Sequence, residues 1–169
     1  MTMENNNVSP EAAETEELRS RISARELRRH TFVTLFLTGF HENAEREEMA
    51  RRYLEDLPYV PEVLERIYTR YRLVAEKISL IDPMIGKSSH GWNLRRIGKV
   101  ELNLMRVAVY ELYYDEMIPA SVAINEAVEL GKRYGGENSP AFINGILTEV
   151  IRNYPLPEKT AAEETEESR

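Results

Sequence analysis

The sequence predicts an all-α protein, a compact bundle of about seven helices. Three observations carry this. Apolar residues recur at intervals of three and four through most of the chain, as one face of a helix requires. Residues that start and stop helices punctuate those stretches. No stretch alternates apolar and polar residues like a half-buried strand, and no hairpin signal separates two such stretches.

Ser23 and Glu26 have capping-box spacing, in which each side chain satisfies a free backbone donor, so a helix is expected from Ser23. Phe32, Leu35, Phe36 and Phe40 come after it at helical intervals. Asn43 is placed to cap the next helix, which carries Met49 and Tyr53 and ends before Pro58. Pro61 occupies a favoured helix-start position, and Val63, Leu64, Ile67, Tyr68, Tyr71, Val74 and Ile78 carry that helix to Asp82. Asp82 and Pro83 read as the cap and first residue of a short further helix, and Gly86 and Gly91 break the next stretch. From Lys99 to Asp115, Leu104, Val107, Ala108, Glu111 and Leu112 form an inner stripe. Pro119 or Ser121 opens another helix, which Gly135-Gly136 closes. Ser139-Pro140 opens the last, with Phe142, Ile143, Ile146, Leu147, Val150 and Ile151 as its apolar stripe. Asn125, Asn144 and Glu111 lie on apolar helices, so burial with hydrogen-bonded partners is expected of them. Trp92 is expected to anchor the core.

The 169 residues suit one domain. The chain has no Cys, which excludes disulfides, thiol catalysis and Cys-ligated zinc. No apolar run approaches the roughly 18 residues of a membrane span. The polar, acidic start is wrong for a secretory signal, so a cytoplasmic protein is expected. The formal charge is −7, but its distribution matters more. Residues 1–17 carry −5 and residues 158–169 carry −3, which leaves the body at +1. The two ends, 1–20 and 155–169, have too few large apolar residues to offset ordering entropy and are expected to be disordered acidic tails around one domain, 21–154.

Within the body, residues 18–157, Arg19, Arg21, Arg25, Arg28 and Arg29 crowd one stretch with Glu26 as its single acid. At 100° per residue, Arg25, Arg28 and Arg29 share a helix face with Phe32 and Phe36. The expected geometry is a helix whose first turns overhang the packed body. Cations at a helix N-terminus oppose the macrodipole, at a cost of about 0.3–1 kcal/mol each, so something else should favour them there. Guanidinium groups offer a fork for phosphate and a flat face for bases. Two readings stand at this point: a nucleic-acid site, or arginines that pair with the acidic tail or are merely solvated. Nothing points to catalysis or metal. His30, His41 and His90 lack helical ligand spacing, there is no Gly-rich phosphate loop, and Ser88-Ser89-His90 is adjacency rather than a triad. No cofactor is expected.

Five motifs resemble the NusB family of bacterial transcription antitermination factors, in the family order. They are Arg25-Glu-Leu-Arg28 with Phe32, Leu35 and Phe36; Trp92-Asn-Leu-Arg-Arg-Ile97; Leu104-Met-Arg-Val-Ala-Val-Tyr-Glu-Leu112; Ile118-Pro119 with Val122-Ala-Ile-Asn-Glu-Ala-Val-Glu-Leu130; and Phe142-Ile-Asn-Gly-Ile-Leu147. The resemblance spans residues 23–153. It implies two packed helical subdomains and no chemistry. It implies binding of boxA RNA in nascent ribosomal transcripts, together with the ribosomal protein NusE, in an RNA polymerase antitermination complex. The RNA surface it implies is Arg21, Arg25, Arg28 and Arg29 with Lys132, Asn138 and Phe142, where Phe142 stacks on a base or serves the core. The NusE face it implies includes Phe36, Glu101 and Arg106. The chain departs from the family in having Gly131 where Ala is frequent, and Asn138 and Thr148 where an acid is frequent; losing an acid at 138 reduces repulsion of phosphate. The other expectations are a protein-binding helical scaffold, or a relative of the domain that precedes the catalytic part of ribosomal RNA cytosine methyltransferases, although the chain has no S-adenosylmethionine-binding loop.

Overall fold

The computed structural model describes residues 9–91 and 93–159. Its helices are α1 (Pro10–Arg19), α2 (Ala24–Thr38), α3 (Asn43–Glu55), α4 (Pro61–Ser88), α5 (Lys99–Tyr114), α6 (Ala120–Tyr134) and α7 (Ser139–Asn153), with a 3₁₀ turn at Leu94–Arg96 before α5. Among the described residues there is no strand, and no helix is long and apolar enough to cross a membrane. Trp92 lies outside the described residues, as do residues 1–8 and 160–169 of the two acidic ends.

The described part of the first acidic stretch is helical rather than irregular. Ser9 caps α1 by accepting from the Ala12 amide, Pro10 supplies a pre-set first residue, and Glu11 favours the positive end of the dipole. Local signals dominate this helix, since it buries no residue and its last carbonyl, Arg19, accepts one bond from the Val60 amide.

α2 starts as expected: the Ser23 side chain accepts from the Glu26 amide at 3.1 Å. The reciprocal half of the capping box is absent, because the Glu26 carboxylate binds Arg29 instead. Phe32 and Leu35 enter the core. Thr31, Thr34 and Thr38 can be buried beside them because each hydroxyl donates to the carbonyl four residues back. α3 begins at Asn43, with Glu42 as the cap residue and no side-chain capping bond.

α4 is the main correction to the expected elements. It runs 28 residues without a break and carries Pro83 in its interior. The proline costs the Ser79 carbonyl its helical partner, but Pro83 and Ser79 both face solvent, where water can take that role. Ile81 and Ile85 on either side are fully buried, and Asp82 is gripped by both ends of the Arg106 fork at 2.8 and 2.7 Å. Tertiary packing therefore overrides the local break. Pro83→Ala is expected to raise the unfolding free energy by about 1–2 kcal/mol, read as a shift in urea midpoint, because the regained helix bond outweighs the freer unfolded chain.

α5 is the hub. It is buried on nearly every side from Leu102 to Leu112, the mark of an element surrounded by others. α2, α3 and α4 pack together as one subdomain, and α5, α6 and α7 as the other; α4 against α5 and α7, and α2 against α5, join them around a continuous core. α6 and α7 approach closely: a Cβ on Gly131 would stand 2.8 Å from Ile143 Cδ1. Asn125 and Asn144, expected inside, are exposed, since α6 and α7 turn those faces outward. Glu111 is buried, as expected.

Candidate nucleic-acid interface

The first turns of α2 and the C-terminal half of α6 form the walls of a groove of about 360 Å³ lined by Arg25, Glu26, Arg29, Glu126, Glu129, Leu130, Lys132 and Arg133. Packing of α2 and α6 on α5 brings these distant stretches side by side. Every cation in the groove is held by a neighbour. Arg25 grips Glu126 bidentately at 3.0 and 2.8 Å, and its hydrogen bonds keep the Glu126 carboxyl below the usual range. Lys132 sits 2.7 Å from Glu129. The Arg133 guanidinium lies 5.2 Å above the Tyr134 ring, a cation–π contact. Arg29 binds Glu26 and donates to His30 Nε2 at 3.2 Å, and its proton is held more firmly than usual.

Arg25, Lys132 and Arg133 are exposed, whereas Arg29 is half-buried and less exposed than its partner Glu26. The Arg25 side chain is 69% exposed against 12% for Glu126, so this pair offers its positive side to solvent. Exposed ion pairs of this kind contribute little stability and can be exchanged for a better anion at low cost. A phosphate offers the same fork acceptor as a carboxylate.

Arg28 does not belong to that face. Its side chain is buried, bound to Glu111 on α5 at 2.6 and 3.0 Å, and stands 3.5 Å from Glu126. Burial raises the Glu111 carboxyl, and the Arg28 fork opposes that rise. The expected overhang of α2 is therefore also corrected: its first turns are docked on α5 through this pair, with only Arg25 projecting fully. Arg21 sits in the α1–α2 connection, exposed, 2.9 Å from Glu17. Asn138 is exposed at the start of α7. Phe142 is half-buried and packs on the core. Arg133 was missed from the sequence, although its signal was present: Lys132-Arg133-Tyr134 ends a helix immediately before Gly135-Gly136.

A second groove, of about 480 Å³, lies between α2, α4 and α5. Phe36 and Arg106 share it, with exposed Phe40 set edge-on to Phe36 at 5.1 Å. Glu101 is not part of it. Its carboxylate accepts from the Ser139 hydroxyl and so ties α5 to the start of α7.

The NusB family model matches residues 22–152. The chain belongs to the NusB family. It is 45% identical over 131 residues to the transcription antitermination protein NusB of Lachnoclostridium phytofermentans, covering 77% of this chain and 99% of that one. NusB of Ruminiclostridium cellulolyticum is 36% identical over 138 residues, covering 82% and 94%. Among solved structures, NusB of T. maritima superposes with a TM-score of 0.73 at 34% identity, covering 85% of this chain and 99% of that chain. A crystal structure of antitermination factors NusB and NusE in complex with dsRNA shares the fold, with a TM-score of 0.60 at 21% identity. Both NusB relatives are named transcription antitermination proteins.

Proposed function

We propose that the protein is a cytoplasmic antitermination factor that binds boxA-type RNA of nascent ribosomal transcripts jointly with NusE in an RNA polymerase antitermination complex. The observation that carries this reading is the outward-facing cationic groove between α2 and α6, on a fold whose relatives are antitermination proteins. Arg25, Arg29, Lys132 and Arg133 meet RNA phosphates, and Arg21 and Asn138 extend the surface to either side. Phe142 supports the start of α7 from the core. Arg28 positions α2 rather than touching RNA. The Phe36–Arg106 groove faces NusE, and Glu101 aligns α5 with α7 behind it.

The test is a titration of boxA RNA with and without NusE. Replacing Arg25, Lys132 and Arg133 by Ala together removes three outward cations and spares the buried Arg28 and half-buried Arg29. Affinity is expected to fall at least about tenfold, and the slope of log affinity against log salt to flatten by about 2, with the helical signal unchanged. An unchanged salt slope would remove the groove from the RNA surface.

A further inference from the structure

We propose that the corner where α4, the 3₁₀ turn and α5 meet is a second RNA contact. There Lys87, Arg95, Arg96 and Lys99 hold phosphates of the single strand that flanks the segment in the α2–α6 groove. The proposal rests on the RNA reading above and adds a separate site to it. Residues 83–100 carry these four cations and His90 with no Asp or Glu, inside a chain of net charge −7. All four cations are exposed, and none makes an ion pair with a described residue. The α2–α6 groove differs, since Arg25, Arg29 and Lys132 each have a carboxylate partner there. An anion arriving at the corner displaces no internal partner.

Packing holds these side chains in place. Ile97 is buried, and Leu94 lies beside Gly86 near the end of α4. The Asn93 side chain accepts from the Arg95 amide at 3.0 Å, and the Asn93 carbonyl from the Arg96 amide at 2.8 Å. Two adjacent arginines are thus fixed on a short, pinned turn. Lys87 suits the dipole at the end of α4, but Lys99 opposes it at the start of α5. Neighbouring carboxylates do not account for the cations. Asp82 is engaged by Arg106, Glu149 by Arg152 and His90, and Glu101 by the Ser139 hydroxyl.

Position ties the corner to the same RNA. The Ser139 hydroxyl accepts from the Gly136 amide at 2.8 Å and donates to Glu101. That junction joins the end of α6, the start of α7 and the first turn of α5. Lys132 and Arg133 lead into it, and Lys99 stands two residues from Glu101 on its far side. A strand that leaves the α2–α6 groove past Asn138 therefore meets the corner. Lys99 also lines the Phe36–Arg106 groove, so the corner borders both proposed surfaces. Composition favours a polyanion over a protein. Among the described residues of 83–100 no large hydrophobic is exposed, and a protein interface needs an apolar centre. Phosphate contacts need only donors and cations and read no sequence, so the corner adds affinity without narrowing the sequence bound.

The test titrates two RNAs against the full chain with NusE present: a minimal boxA oligonucleotide, and the same oligonucleotide extended at both ends by unpaired nucleotides. The parent is expected to bind the longer RNA about tenfold more tightly, with a slope of log affinity against log salt steeper by about 2–3, since each phosphate neutralised on a single strand contributes roughly 0.7. Replacing Lys87, Arg95, Arg96 and Lys99 together by Gln is expected to remove that gain and to leave affinity for the minimal RNA within about twofold. If the urea midpoint of this variant falls, Arg95→Gln with Arg96→Gln, which leaves the α-helices untouched, is expected to lose about half of the extra slope. A parent that binds the minimal RNA but gains nothing from the extension overturns the proposal and leaves the groove reading standing. A variant that keeps the full gain, or that weakens both RNAs equally, overturns it too. Loss of NusE binding with the gain retained assigns the corner to the protein partner instead. Failure of the parent to bind the minimal RNA removes the groove reading; a gain on the longer RNA that the variant loses supports the corner even then.

Discussion

Arg28→Ala is expected to destabilise the protein by about 3–5 kcal/mol, a large share of a small domain's stability. The guanidinium and the Glu111 carboxylate are both about 95% buried and joined by two hydrogen bonds, with Glu126 at 3.5 Å as a further acceptor. Removing the cation leaves Glu111 inside the protein without its hydrogen-bonded counter-charge. Burial already raises that carboxyl, so it would have to take up a proton to remain there. The loss should appear as a lowered urea midpoint with little change in slope. Arg28→Met combined with Glu111→Leu removes both charges and is expected to recover most of the stability, because well-packed apolar residues replace a buried pair at little net cost. At a temperature where Arg28→Ala stays folded, its RNA affinity should remain within about twofold of the parent, far above that of a groove variant. A variant of normal stability and lost RNA binding would return Arg28 to the contact surface.

The fate of Arg28 shows where reading the sequence stops. The helix carrying it was legible, because capping residues and apolar periodicity act over a few residues. A helical wheel puts Arg25, Arg28 and Arg29 on one face, but one face still spans a range of depths. The depth of Arg28 is set by Glu111, 83 residues away, on a helix enclosed on nearly all sides. The same holds for α4. Pro83 is a strong local stop, and the packing of Ile81 and Ile85 that outweighs it involves residues distant in the chain. The convergence of Lys132 with the arginines was legible only through the family resemblance, and Arg133 beside it was not singled out. Glu101, which the resemblance assigns to the partner face, also braces α5 against the start of α7, a contact between residues 38 apart that no local pattern shows.

The protein is also expected to lose about 2 kcal/mol of stability between about pH 7.5 and pH 5 through His30 alone. Its ring is 3% exposed, and burial together with the neighbouring Arg29 pushes the imidazole down to about 4. Geometry explains why the neutral form is required. Arg29 can only donate, so Nε2, at 3.2 Å from it, must accept; Nδ1 therefore carries the hydrogen and donates to the Tyr53 hydroxyl at 2.7 Å. A second proton on Nε2 would set two cations against each other. Glu26, 3.7 Å from Nε2, only partly compensates, because its carboxylate is engaged by Arg29. The unfolded chain takes up a proton as pH falls through about 6.5, while the folded chain does not until about 4, so stability is full above that window and drains away within it. Glu111 works in the opposite direction, since its raised carboxyl favours the folded state as pH falls. The comparison that isolates His30 is therefore between the parent and His30→Gln, whose amide keeps a donor and an acceptor but does not titrate. Urea midpoints across the range should fall less steeply in the variant by the stated amount. Parallel pH profiles for the two proteins would show that His30 is protonated in the folded state, and that Arg29 owes its place in the groove to Glu26 and Tyr134 alone.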